Sequence, residues 1–97
     1  MSKKDSDVQR LVEEGLSSIG RLKILRILAS DENKSHTKYS LEKLTGLKSI
    51  DIRKHLEILI KTNWVKEHKY NPTVYTLNLE DSQTKFLLDF FKKIGYT

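Results

Sequence analysis

Apolar positions in the first thirty residues recur at helical steps. Val8, Leu11, Val12, Leu16 and Ile19 are three or four apart, and Leu22, Ile24, Leu25, Ile27 and Leu28 carry the pattern on to Ala29. Gly15 and Gly20 each weaken a helix by about 1 kcal/mol relative to alanine, while Ser17 and Ser18 favour a helix start. The pattern over 8–30 therefore predicts two helices, or one bent helix, with a break near 17–20. Residues 30–38, with Asp31, Asn33, Ser35 and His36, are polar and without period, and read as a loop. Ser40 is placed to cap a short helix, 40–46, that carries Leu41 and Leu44, and Gly46 stands where helices commonly end in a left-handed residue. Ser49 is placed to cap a helix over 49–62, in which Ile52, Leu56, Leu59 and Ile60 make one apolar stripe. Only Thr45 to Lys48 separate the two helices, a spacing that suits a steep crossing over a tight turn, the helix-turn-helix.

Beyond Asn63 the period changes from helical to alternating. Trp64 and Val65 open a strand to about Lys69, and the β-branched and aromatic run Thr73 to Leu79 supplies a second, with Tyr70-Asn71-Pro72 as the turn. A hairpin over 64–79 directly after the second helix is the wing of a winged helix. Asp81 is placed to cap a last helix, 82–94. The predicted fold is α+β: a winged helix-turn-helix with a three-helix core, a β-hairpin wing and a C-terminal helix. The expected core includes Leu25, Leu28, Leu44, Leu47, Ile52, Leu56, Leu59, Val65, Tyr75 and Leu77. At 97 residues the chain reads as one domain, 1–97, with a disordered polar tail at 1–7, a winged-helix core at 18–80 and the C-terminal helix at 81–95.

Charge sharpens this picture. The net +5 is uneven: residues 1–37 hold seven basic against six acidic side chains and residues 70–97 three against three, whereas residues 38–69 hold eight against four. The excess lies on the predicted helix-turn-helix and wing, which favours a polyanionic partner there over a merely lysine-coated surface. No cysteine is present, so thiolate chemistry and cysteine-ligated zinc are excluded, and an intracellular, cytoplasmic protein is expected. No apolar run approaches the roughly 18 residues of a membrane span, and no signal peptide is apparent.

Three segments resemble a known family. Gly20-Arg21-Leu22-Lys23-Ile24-Leu25-Arg26-Ile27-Leu28 resembles the first core helix of winged-helix transcriptional regulators of the ArsR and MarR kinds, especially their small archaeal or archaeal-virus relatives. Tyr39-Ser40-Leu41-Glu42-Lys43-Leu44-Thr45-Gly46-Leu47 is similar to their positioning helix and turn, and Ile52-Arg53-Lys54-His55-Leu56-Glu57-Ile58-Leu59 followed by Asn63-Trp64-Val65 to their passage from recognition helix into wing. The resemblance spans residues 18–80 and implies transcriptional regulation, often by a homodimer. Asn63 stands where the family usually has glycine, and asparagine also tolerates the left-handed conformation.

On a helical wheel the stripe of Ile52, Leu56, Leu59 and Ile60 leaves Ile50, Lys54, Glu57 and Lys61 opposite, with Asp51 and Arg53 at the flanks. The N-terminal part of a recognition helix enters the major groove of double-stranded DNA, so Lys48, Ser49, Ile50, Asp51, Arg53 and Lys54 are the candidates for contact, Arg53 and Lys54 first among them, with Lys61 further along. Arginine or lysine can donate to guanine O6 and N7, serine reaches base or phosphate, and isoleucine touches a thymine methyl. Asp51 reads more simply as a first-turn acid meeting the helix dipole, and Arg53 has an alternative partner in Glu57 four residues on. Lys66, His68, Lys69 and Tyr70 approach or form the wing tip, placed for the phosphate backbone or the minor groove. Trp64 and Tyr75 are assigned to packing.

His36, His55 and His68 are too scattered for a metal site, and no phosphate loop, nucleophile elbow or paired-carboxylate spacing occurs, so neither metal, cofactor nor enzymatic activity is expected. The last helix carries Phe86, Leu87, Leu88, Phe90, Phe91 and Ile94, which cover half the wheel or more. One side packing on the domain would leave an apolar patch, so Phe86, Leu87, Phe90, Phe91 and Ile94 are candidates for homodimerisation, aided by residues 8–19, the alternative being a helix buried deeply in its own monomer. The alternative to a DNA-binding regulator is a winged-helix protein-interaction module in a larger complex.

Overall fold

The computed structural model describes residues 5–97, with side chains from Val8 onward. Of the polar tail expected at 1–7, residues 1–4 lie outside the described residues, and the first helix already begins at Asp5. Five helices and one hairpin follow in the order α1 (Asp5–Leu16), α2 (Ile19–Ser30), α3 (Lys38–Thr45), α4 (Ser49–Lys61), β1 (Val65–His68), β2 (Val74–Leu77) and α5 (Ser82–Ile94). This is the α+β winged helix the apolar pattern predicts.

Local chemistry sets the boundaries. The expected break falls between Leu16 and Ile19, and Ser18 caps α2 by accepting from the Arg21 amide at 3.2 Å. α3 starts earlier than predicted: its cap is Thr37, whose Oγ1 accepts from the Ser40 amide at 3.1 Å, while Ser40 lies inside the helix and turns its hydroxyl back to the Thr37 carbonyl. α3 stops at Gly46, which adopts φ 76° and returns its amide to the Glu42 carbonyl. Thr45 then braces the turn, donating to the Leu41 carbonyl at 2.6 Å and accepting from the Leu47 amide at 3.1 Å. α4 has no side-chain cap; its cap position is Lys48, and Ser49 is already helical. Asn63 takes φ 67° and reverses the chain into β1.

The hairpin pairs Val65 with Leu77 and His68 with Val74, antiparallel. Tyr75 and Leu77 of β2 and Val65 of β1 face the core. A contribution from the predicted loop was not legible: His36 bridges to Tyr75 through two backbone bonds of 3.0 and 2.7 Å, and its ring nitrogen Nδ1 pairs with Ser40 Oγ at 3.1 Å. The loop after α2 thus docks on the hairpin.

The core gathers Ile24, Leu25 and Leu28 of α2, Leu41 of α3, Ile52, Leu56 and Leu59 of α4, Trp64 and Val65, Tyr75 and Leu77, and Leu88 and Phe91 of α5. Two expected members differ. Leu47 is only partly buried, and Leu44 is 55% exposed. Leu44 lies three residues past Leu41, at the edge of the α3 stripe, and borders a hollow lined by Lys23, Arg26 and Ile27 of α2 instead of an apolar face. The entry of the wing is tied to its exit and to α5 at Asn63, whose carbonyl accepts from Asn78 Nδ2 at 3.2 Å and from Thr84 Oγ1 at 3.4 Å.

Candidate nucleic-acid interface

α4 is held by its inner face and free on its outer one. Ile52 and Leu59 are fully buried and Leu56 nearly so, which fixes the helix's rotation about its axis. Lys48, Ser49, Ile50, Arg53, Lys54, Glu57 and Lys61 are consequently exposed, as the wheel predicts. Ile50 is an uncommon outward residue, 54% exposed in the first turn of the helix. Among the described residues Arg53 forms no ion pair with Glu57, so its guanidinium is uncommitted. Asp51 is half-buried in the first turn, where its charge meets the helix N-terminus and the nearby His55 ring.

The wing candidates separate into two groups. Lys69 and Tyr70 are exposed at the tip, with Tyr70 stacked on His68 at a centroid distance of 5.7 Å and an interplanar angle of 27°. His68 and Lys66 have intramolecular partners: His68 Nε2 meets Thr76 Oγ1 at 2.9 Å across the hairpin, and the Lys66 ammonium pairs with Glu80. That ammonium holds the exposed Glu80 carboxyl below the usual carboxylate range. Lys66 therefore offers a compensated charge, and Lys69 an open one.

Sequence reasoning assigned no contact to α3, although Lys38 and Lys43 belong to the basic third. Lys38, Tyr39 and Lys43 are all exposed, and the Lys43 ammonium sits over the Tyr39 ring, 5.3 Å from its centroid. A hollow of about 300 Å³ joins the start of α3 to the wing, lined by Lys38, Tyr39, Pro72 and Thr73 among others. The signal for the exposed face of α3 in the sequence was the pair Tyr39 and Lys43 at i and i+4, both off the Leu41 stripe.

α5 resolves its broad apolar surface into two stripes. Thr84, Leu88 and Phe91 are buried, and Leu87 packs partly against the core. Phe91, expected at a dimer interface, is instead a core residue: three positions after Leu88, it faces inward and meets Tyr96 edge-on at 4.8 Å. The outward stripe is Phe86, Phe90 and Ile94, at 73, 55 and 60% exposure. Near the N-terminus Val8, Val12 and Ile19 are exposed as well. Among the described residues no helix is long and apolar enough to cross a membrane, and no cluster of three histidine, cysteine or acidic side chains is placed to hold a metal ion.

Comparison with known proteins agrees with the architecture. No family model matches the chain, and no curated protein sequence matches it. Among solved structures it is similar to HlyU from Vibrio cholerae, with a TM-score of 0.79 at 21% identity over 100% of both chains. It is also similar to a homodimeric winged helix-turn-helix DNA-binding domain from Mycobacterium bovis, described as a possible ArsR-family transcriptional regulator. There the TM-score is 0.74 at 17% identity, over 96% of this chain and 87% of that one. Both sources are bacterial, and neither bears on the MarR-like or archaeal side of the sequence resemblance.

Proposed function

We propose that the chain is a transcriptional regulator that binds double-stranded DNA sequence-specifically as a homodimer. The observation that carries this reading is the outer face of α4. Ile50, Arg53 and Lys54 project into solvent from the N-terminal half of a helix whose rotation is locked by Ile52, Leu56 and Leu59. Arg53 and Lys54 read base edges in the major groove, Lys48 and Ser49 reach the flanking backbone, and Ile50 meets a thymine methyl. Lys61 extends the basic face, and the wing presents Lys69 and Tyr70 to the phosphates or minor groove, with Lys66 and His68 behind them.

The outward stripe of α5, Phe86, Phe90 and Ile94, joined by Val8, Val12 and Ile19, is the proposed contact between two copies. The Mycobacterium bovis domain of the same fold is itself homodimeric, which supports this pairing. A symmetric dimer then sets its two recognition helices about 34 to 36 Å apart, or a multiple of that, to meet successive major grooves.

Fluorescence anisotropy with duplex DNA at two salt concentrations tests the reading. Six to ten phosphate contacts predict an affinity loss of roughly 10³- to 10⁵-fold between about 50 and 200 mM salt. Absence of binding at the lower salt would replace this reading with the protein-interaction module.

A further inference from the structure

Position 55 lies on α4 but takes no part in its outer face. The His55 imidazole packs on the start of α2, where a methyl group on Gly20 would fall 2.5 Å from Nε2 and 2.9 Å from Cδ2. Glycine is what leaves room for the ring. His55 Nδ1 is buried without a hydrogen-bond partner, and so is Nε of Arg21, the residue after Gly20. Arg21 is anchored, because its Nη1 donates to the Glu14 carbonyl at 2.7 Å and to Ser17 Oγ at 2.9 Å. The guanidinium thus cannot swing away without releasing the corner between α1 and α2.

The charged groups around the ring are few. Arg21 faces it from α2, and Asp51 stands one turn earlier on α4. Glu14 of α1 gives its carbonyl to Arg21 and turns its carboxylate to Arg10 at 3.5 Å. Burial, and then Arg21, hold the imidazole below the ordinary histidine range against the opposing pull of Asp51. An imidazolium here would present a second ring N–H, with no acceptor at buried Nδ1, beside a fixed guanidinium.

We propose that His55 is a positioning residue for the recognition helix: its neutral ring seats α4 on Gly20, and its protonation unseats that part of α4 and weakens DNA binding in acid. The last clause rests on the DNA-binding reading; the seat itself does not. The sign follows from linkage. A base that binds its proton less readily in the seated state favours that state above the ordinary histidine pKa of about 6.5, and the advantage is lost as pH falls below it.

Two separate readouts test this. In the free protein, NMR titration from pH 8 to 5 should show the amides of residues 50–58 shifting together with the His55 ring, below the ordinary histidine range. Gly20→Ala, which fills the seat, should produce the acid-like amide shifts already at pH 7.5. On duplex DNA, wild type and His55→Asn are compared in a His68→Asn background, which removes the wing imidazole from the titration. The ratio of the wild-type Kd to the His55→Asn Kd should rise as pH falls, by at most about tenfold per pH unit for one proton. If His55→Asn does not fold, His55→Gln takes its place. A His55 ring that titrates in the ordinary range without moving the α4 amides, or a Kd ratio independent of pH, overturns the proposal. Coupled ring and amide shifts with no duplex binding at any pH would support the seat and overturn the DNA reading alone.

Discussion

α4 and α5 are two versions of one helix with opposite outer faces. Each has 13 residues and buries three: Ile52, Leu56 and Leu59 in one, Thr84, Leu88 and Phe91 in the other. Outward, α4 shows Arg53, Lys54 and Lys61, and α5 shows Phe86, Phe90 and Ile94. The inner stripes explain why both helices dock on the same core, and they say nothing about partners. The outer stripes do, since an aqueous surface tolerates cations freely and a row of exposed phenylalanines poorly. One face suits a polyanion and the other a second apolar surface.

The largest effects should come from the inner faces and should not distinguish the two helices. Leu59→Ala is expected to destabilise the fold by roughly 2 to 5 kcal/mol, read from the urea midpoint, because a fully buried leucine leaves a cavity. A loss below about 1 kcal/mol would show that α4 is not held as described.

The outer faces should then part company. Phe90→Glu is expected to convert the proposed dimer into an 11.3 kDa monomer by light scattering while helix content is retained. A wild-type chain that is already monomeric at micromolar concentration would remove α5 from the comparison. Lys54→Ala should leave the mass unchanged and weaken a preferred duplex by about 1 to 3 kcal/mol, with less discrimination against scrambled sequence. An equal loss on both duplexes would demote Lys54 from base reader to phosphate contact.

The subtlest contrast lies within the proposed DNA face. Lys69→Ala is expected to weaken all duplexes alike and to lower the slope of log K against log salt by roughly one unit. The same substitution at Lys66 should move the slope less, because that ammonium is already paired with Glu80. Equal slopes for the two variants would mean that DNA displaces Glu80.

The fold was largely legible because its determinants are local or periodic. Gly46 and Asn63 adopt the left-handed conformation that glycine, lacking a Cβ, and asparagine tolerate, and the α4 stripe is buried as its spacing predicts. Failures occurred where a neighbour decides. Leu44 has the period of a core residue, but α2 offers it Lys23 and Arg26. Phe91 and Phe90 are indistinguishable by composition, and only the direction from which the core meets α5 buries one and exposes the other. Thr37 takes the place of Ser40 as a cap because the chain turns into α3 three residues sooner, directly after the bridge from His36 to Tyr75. That long-range pairing has no signature in a polar stretch. The candidate site followed the same rule: the outer face of α4 was readable from a wheel, while the partners of Lys66 and His68, and the surface of Tyr39 and Lys43, needed three dimensions.

Trp64 is the chain's single tryptophan, 3% exposed, and its indole nitrogen donates to the Leu11 carbonyl of α1 at 2.9 Å across 53 residues of sequence. Gly15, one turn later on α1, lies so close to the indole that an added methyl would overlap it. The molecule therefore carries its own optical probe at the joint between the first helix and the root of the wing. Lifting of α1 exposes the indole to water and shifts its emission to longer wavelength. Motions confined to the wing tip leave the spectrum unchanged. An unlabelled sample can thus report whether α1 stays docked while a second chain or a nucleic acid binds elsewhere.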